Sequence, residues 1–566
     1  MLSLSKHECA PLHAMTISKE LFASLPVPAQ IIQLERADAK TRQQLILPAR
    51  QSLELTRSLS AETLFYTLKE IGLADSVDLL ALASPTQVRD MLDLDCWRKD
   101  RLDDRQLLAW LMLLDEAGSG KLAEWFLHAD IEVLVLLVKR HLEVIRKADV
   151  EEDPDFNQAR YFTFDDQYLL RFVGEAEPIL SLLLERLRVL DYNSYKHVLE
   201  WSLLELESSL EEEALHWRDA RMADRGYPSY DEAGQVFNFV APESLSLEQY
   251  RRNTLSKVRF ATDEELIPAD HALMLLDVRD SFLVQVLATL PAEGFEPLKQ
   301  ELAMLTNQVV IAEACDPSEL AEVRRCAELV HDYVNIGVAY LAKGEQREAA
   351  RLLSETRLRP FFQVGMSLTL RLQQQERQLD ADLRRNRIAD WQAYLDSPFQ
   401  ETCSGVQRRS PLFFRGLEMP GEILYRRFQN LTEIRRVETV LAQIPLWFTV
   451  MQRWELVPEG RAPVGVTLEV LWNTAFARWV VEREVAVRPL SRADLSTLQK
   501  QLHRTTSEEQ SSAFLTLAAT QLKLTEEETE AIRALATHAR EKLHEILAVE
   551  AATADLRFIE GVLVTD

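Results

Sequence analysis

A predominantly α-helical protein with several subdomains is the fold class that this sequence predicts, and three observations predict it. The chain has 566 residues, more than one compact hydrophobic core usually serves. It carries only 16 glycines and 21 prolines, roughly half the ~12% usual in globular proteins, so few turns interrupt it. Its apolar residues recur at helical spacing behind capping residues. Short helices stacked on one another, with at most a minor β-hairpin, satisfy all three. Hydrophobic residues make up 47% and charged residues 27%, an ordinary globular balance.

The first fourteen residues hold no continuous apolar stretch of signal-peptide length and read as a disordered leader or an over-extended start before Met15. Together with the breakers Pro26, Pro28 and Pro48 they make residues 1–50 an N-terminal segment with partial disorder. Residues 51–150 read as a series of short amphipathic helices. Ser60-Ala61-Glu62-Thr63 opens one, with Leu64, Leu68 and Ile71 on one face, and Gly72 ends it. Ser84-Pro85-Thr86-Gln87 opens another, serine capping and proline standing at the first helical position. Helices this short need their neighbours.

An acidic run with proline, Asp149 to Asp155, marks a boundary, and 155–250 form the next region. There, Tyr161 to Phe172 alternate around Asp165-Asp166 and predict a hairpin. Helices follow from about 176 to 222, stopped by Gly226 and Pro228. Residues 251–400 are helical. Within 331–360, Tyr333, Ile336, Gly337, Tyr340, Gly344, Ala349 and Leu353 fall where a helical hairpin places its small and groove-filling residues. The final region, 401–566, starts with a Gly- and Pro-rich connector and is otherwise helical, with a short strand expected over Val464 to Val470 and a helix start at Thr525-Glu526-Glu527-Glu528.

The formal net charge of −26 argues against a broad nucleic-acid surface, which needs clustered cations. No apolar run approaches the ~20 residues of a membrane-spanning helix. The five cysteines (Cys9, Cys96, Cys315, Cys326 and Cys403) are sparse and include no C-x-x-C, as in reduced intracellular proteins, so the cytoplasm is the expected location.

No motif predicts a catalytic residue, a metal or a cofactor. Gly118-Ser119-Gly120-Lys121 lacks the glycine, hydroxyl and preceding strand of a phosphate-binding loop: Asp115 and Leu122 stand instead. Glu-x-x-His occurs at Glu213/His216, Glu328/His331 and Glu541/His544, but 11 histidines among 90 acidic residues supply about two such pairs by chance. Lone His128, His141, His197 and His271 read as surface or packed residues. Asp90, Asp93, Asp95, Asp103 and Asp104 read as helix caps and a solvated face.

One island opposes the acidic background. Between Gly405 and Ala442, seven arginines (408, 409, 415, 426, 427, 435 and 436) face four glutamates (418, 422, 433 and 438), with Phe413, Phe414, Tyr425 and Phe428 interleaved. Guanidinium groups beside aromatic rings suit an anion or a protein partner, which makes Arg408, Arg409, Arg415, Arg426 and Arg427 the candidate binding residues; internal pairing with the chain's own acids is the alternative.

Three resemblances accompany this reading. The leucine-and-aspartate cadence of 55–150 resembles the N-terminal cytosolic helical domain of magnesium transporters, whose membrane domain has no counterpart here, so transport is not implied. Residues 331–360 resemble a single tetratricopeptide-like hairpin; Arg371 stands where a second repeat would place the counterpart of Gly337. Taken whole, through Arg221 to Pro228, Glu232-Ala233, Leu305 to Val310 and Asn335 to Leu353, the chain resembles a bacterial family of unknown function, which implies no reaction, cofactor or site. The expected function is a cytosolic helical interaction, scaffold or regulatory protein whose partners are other proteins. An enzyme or small-molecule sensor with a site drawn from distant helices is the rival.

Overall fold

The computed structural model describes residues 19–251, 281–548 and 561–565, apart from 154, 175, 291, 389, 420, 458–463 and 505–506. The expected leader, the choice between Met1 and Met15, Cys9 and His271 lie outside the described residues. Helices dominate the described residues, and extended structure is confined to three two-stranded antiparallel ladders and isolated bridges. The chain divides into two compact units. One comprises Met1–Asn238, Leu245–Val334 and Leu341–Gln363; the other comprises Phe239–Ser244, Asn335–Tyr340 and Val364–Asp566.

In the first unit, the prolines read as breakers introduce helices: Pro26 precedes the helix Val27–Arg36 and Pro28 lies in its first turn, where a missing N–H costs nothing. Ser60 caps the helix Ala61–Ile71 by accepting Thr63 N–H at 3.1 Å, and Gly72 ends it at φ +107°. Ser84 and Gln87 form a reciprocal capping box on the helix Pro85–Asp95. The Gln87 side chain also donates to the carbonyls of Thr56 and Leu59, tying this helix to the preceding segment. Leu64, Leu68, Met91, Leu94, Trp110, Leu111 and Leu114 are sealed from solvent between these rods.

The predicted hairpin over 161–172 is corrected in its partner. Its second half, Tyr168–Phe172, is a strand, and Asp165 and Asp166 turn the chain, Asp166 at φ +59°. Its ladder, however, is with Leu142–Arg146, and Phe162 makes only a single bridge to Leu170. Directly after the helix Ile131–His141 closes on Lys139-Arg140-His141, Leu142 and Val144 alternate into the core and claim the strand edge. Downstream, the helix Glu207–Asp224 ends as expected: Gly226 takes φ +83° and Tyr227 N–H returns to the Met222 carbonyl at 2.9 Å.

After the helix Leu320–Leu341, Lys343 and Gly344 turn the chain with positive φ into the helix Gln346–Glu355, whose Leu353 lines a small apolar gap with Val334, Leu283 and Leu287. Arg371 lies within one continuous helix, Arg359–Arg385.

The second unit is organised by the helix Leu468–Glu482, buried along most of its length. Phe514 packs 5.0 Å from Trp454, 5.0 Å from Trp472 and 5.5 Å from Phe476 between ring centroids. This helix overturns the strand expected at Val464 to Val470: Thr467 accepts Val470 N–H and starts a helix, and β-branched residues there serve packing. Thr525 and Glu528 form the predicted opening of the helix Glu526–Ala548, each side chain accepting the other's N–H. The terminal segment closes by a parallel bridge, Leu490 exchanging backbone hydrogen bonds with Leu563 and Thr565.

Candidate functional site

Acids and arginines far apart in sequence converge in the first unit. The helix Pro85–Asp95 turns Asp90 and Asp93 inward at a spacing of three, which sets them on one face. The helix Glu207–Asp224 meets them with Arg221, and Arg225 follows at its end, four residues on. Arg221 holds two carboxylates at once. Its Nε and Nη2 lie 2.7 and 2.9 Å from Asp93, and its Nη2 and Nη1 lie 2.8 and 3.2 Å from Asp130. Arg225 Nη2 lies 2.9 Å from Asp90 and 3.3 Å from Glu62, whose side chain is 2% exposed. Gly226 is needed here because Met304 approaches to 3.3 Å of where a Cβ would stand, and Asn307 donates to the Arg225 carbonyl at 3.0 Å.

Burial dominates the electrostatics. It raises the Asp90 carboxyl to about 6 against the opposing pull of Arg225, and it raises Asp93 against its hydrogen bonds from Arg221. Asp95, also sealed, is fully served: Lys69 Nζ at 3.0 Å, Gln106 at 2.6 Å and Trp110 Nε1 at 2.7 Å all point at it. The reading of Asp90, Asp93 and Asp95 as a solvated face is therefore corrected; only Asp103 acts as the expected cap. The adjoining cavity, between Asp93, Asp130, Arg221, Trp97 and Trp125, measures about 30 Å3, room for a water or two. Among the described residues, no group of three or more His, Cys, Asp or Glu side chains is arranged to hold a metal ion. The cluster's chemistry is charge neutralisation inside the fold, with one carboxyl poised to titrate near pH 6.

The arginine island of the second unit is a hairpin. Phe413–Phe414 pair with Tyr425–Arg426, and the stem rests on fully buried Phe413 and Phe428. Gly405 and Gly416 are dictated by contact: a Cβ at Gly405 would stand 2.6 Å from the Leu412 carbonyl oxygen, and one at Gly416 would stand 2.2 Å from the Phe414 ring. Arg426 lies 2.9 Å from buried Glu433 and 3.4 Å from Glu418, and Arg415 lies 3.1 Å from Glu422. Arg427 is half-buried. Arg408 and Arg409 are exposed, Arg408 stacking 4.2 Å over the Tyr425 ring. Beyond the stem, Met419, Ile423 and Leu424 stand out at 52%, 82% and 58% exposure.

A model described as a family of unknown function (DUF6178) matches residues 19–565. The chain belongs to that family. No curated protein and no solved structure matches the chain. Two of the segments that carried the whole-chain resemblance meet in this family member's buried cluster: Arg221 to Tyr227 supply the guanidinium groups and the turn, and Leu305 to Val310 lie on the helix Ala292–Ala312 that packs beside them.

The remaining sequence candidates sit apart. Gly118 at φ +136° separates the helices Asp104–Glu116 and Ser119–His128, and Lys121 donates to the Ala83 carbonyl and to Glu124. His331 is buried with both ring nitrogens engaged, one by Ser281 Oγ at 3.0 Å and the other by Asp332 at 3.2 Å. That order of contacts matches a hydrolytic triad. Ser281, however, also caps the helix Phe282–Leu287, its Oγ accepting Val284 N–H, and His331 is 3% exposed. Glu213 and His216 are exposed; the side chains of Glu541 and His544 lie outside the described residues. A polar cleft that sequence reasoning missed opens in the second unit. It has a volume of about 480 Å3 and is lined by Glu376, Arg377, Asp380, Arg384, Gln392 and Gln407. Burial raises the Glu376 carboxyl, which accepts the Gln407 amide at 2.6 Å. No helix among the described residues is long and apolar enough to cross a membrane.

Proposed function

We propose that this is a cytoplasmic helical interaction protein, scaffolding or regulatory rather than catalytic, and that the hairpin 413–426 is its contact element. The observation that carries the reading is an apolar tip on an immobilised stem: Met419, Ile423 and Leu424 stay in water while Phe413 and Phe428 beneath them are sealed. Met419, Ile423 and Leu424 keep half to four-fifths of their surface in water, so burying the rest gains roughly 1–2 kcal/mol each, which folding leaves unused and a partner recovers. Exposed Arg408 and Arg409 beside the stem favour a protein segment that alternates apolar and carboxylate side chains. The test compares proteins captured by the wild type with those captured by M419S/I423S/L424S. The proposal expects an unchanged circular-dichroism spectrum and melting temperature with loss of specific bands; identical captures by both proteins refute it.

A second reading rests on the cleft around Glu376. Two arginines and two carboxylates around a 480 Å3 opening suit a small polar ligand that would make the protein a sensor or an enzyme. Thermal-shift screening against nucleotides and divalent metals checks it: a stabilising ligand whose effect disappears in Glu376→Gln supports this reading, and a flat screen counts against it.

A further inference from the structure

The connection between the helices Ala292–Ala312 and Leu320–Leu341 brings two thiols into contact. Cys315 and Cys326 lie with their Sγ atoms 3.6 Å apart, the Cys326 thiol donating to the Cys315 sulfur. Cys315 is held in place from both sides. Ala314 takes φ +53° to end the first helix, and Cys315 N–H returns to the Val310 carbonyl at 2.9 Å. The next amide, Asp316 N–H, donates to Glu322 Oε2 at 2.6 Å, and Asp316 Oδ1 accepts Ser318 N–H at 2.9 Å. The turn thus presses Cys315 against the second helix, where Cys326 lies.

The two sulfurs are not equivalent. Arg325 Nη2 stands 3.0 Å from Cys315 Sγ; Arg325 is exposed, and Cys315 itself is 8% exposed. The guanidinium places a positive charge directly against this sulfur. Cys326 is 2% exposed, and burial pushes its thiol up, keeping it protonated. The other described cysteines, Cys96 and Cys403, are buried and pushed up by burial, Cys403 to about 12.

We propose that Cys315 and Cys326 are a redox-active pair that a hydroperoxide converts into an intramolecular disulfide. The Cys315 thiolate attacks one peroxide oxygen, and the O–O bond breaks. The departing alkoxide or hydroxide takes a proton from solvent, leaving Cys315 as sulfenic acid. The Cys326 sulfur then attacks the Cys315 sulfur; the S–O bond breaks, and hydroxide leaves with the Cys326 proton as water. Two thiols lose two electrons and the hydroperoxide gains them. The sulfurs close from 3.6 Å to the ~2.05 Å of a disulfide, a shift of side-chain size.

The test treats the reduced full chain with stoichiometric hydrogen peroxide, then unfolds it, alkylates free thiols and maps peptides by mass spectrometry. The proposal expects a dithiothreitol-reversible 315–326 disulfide with Cys96 and Cys403 still alkylated. Cys326→Ser, checked for native circular dichroism, is expected to accumulate a dimedone adduct at Cys315, and Arg325→Gln to slow the wild-type oxidation several-fold. Cys315 and Cys326 both remaining alkylatable after an about tenfold peroxide excess overturns the proposal, as does oxidation spread equally over Cys96 and Cys403. The wild-type map decides the matter even if a variant misfolds.

Discussion

Replacing Arg221 with methionine isolates the buried cluster. The side chain lost makes four contacts of 2.7–3.2 Å to Asp93 and Asp130. The two acids differ in what is left to them: the Asp93 side chain is 7% exposed, whereas that of Asp130 is 20% exposed and retains water. Stranding a buried carboxylate costs about 3–5 kcal/mol. The nearby Arg218 guanidinium, which also favours ionised Asp93, moves the expectation to the lower end, about 3 kcal/mol or roughly a hundredfold in the local opening equilibrium. The penalty belongs to the charge, so it depends on pH. Burial already raises Asp93, and removing its cation raises it further; acidification protonates it and cancels the loss, so the cost is largest where Asp93 is ionised and shrinks as pH falls. Amide hydrogen exchange read on peptides from 85–95 and 207–224 measures the opening directly. Asp93→Leu combined with Arg221→Met is expected to recover most of the loss, because an apolar pair leaves no buried charge. A single-variant cost below about 1 kcal/mol, or one that does not change with pH, refutes this account of the cluster.

Two further predictions follow from the same reasoning about burial. Asp90, at about 6 in the fold against 3.8 in an unstructured chain, binds its proton more tightly when folded; its contribution is therefore full below pH 4 and is lost as pH rises to 6, about 3 kcal/mol in all. Asp90→Asn removes that slope from the urea-unfolding free energy between pH 4 and 7, and an unchanged slope contradicts the prediction. Gly416→Ala drives a methyl group into the sealed Phe414 ring and is expected to cost about 1–3 kcal/mol with a matching loss in urea midpoint. Gly421→Ala has no atom within 4 Å and loses only the strain of φ +92°, about 1 kcal/mol; equal losses at the two glycines would show that the stem is not close-packed.

Local signals were legible where the chain terminates its own helices. Ser84-Pro85-Thr86-Gln87, Gly226 with Pro228, and Thr525 with Glu528 each declare a boundary through hydrogen bonds made within a few residues, and each boundary stands where the spacing predicts it. Partners distant in sequence were not legible. The strand Tyr168–Phe172 was visible, but its partner was hidden because Leu142 to Arg146 follow the helix Ile131–His141 directly, with no glycine, proline or turn residue to mark a change to strand. The strand expected at Val464 to Val470 failed because Thr467 caps a helix there that buries Leu468 and Val470, while Val464 stands fully exposed before it. Asp93 looked solvated because nothing near it in sequence announces Arg221, 128 residues away. The thiol contact is of the same kind: Cys326 comes eleven positions after Cys315, and the tight end of the first helix folds that interval back. Of the candidate site, the arginine–aromatic island was visible from composition, while the exposure of Met419, Ile423 and Leu424 required the hairpin to be built.

Contact at the hairpin tip is tested most directly by placing a photo-crosslinking amino acid at Ile423 in living cells, with the same residue at exposed Val189 as control. A discrete heavier species is expected from position 423, absent from position 189 and diminished by charge reversal at Arg408 and Arg409. No crosslinked species at 423, or the same pattern from both positions, would contradict it.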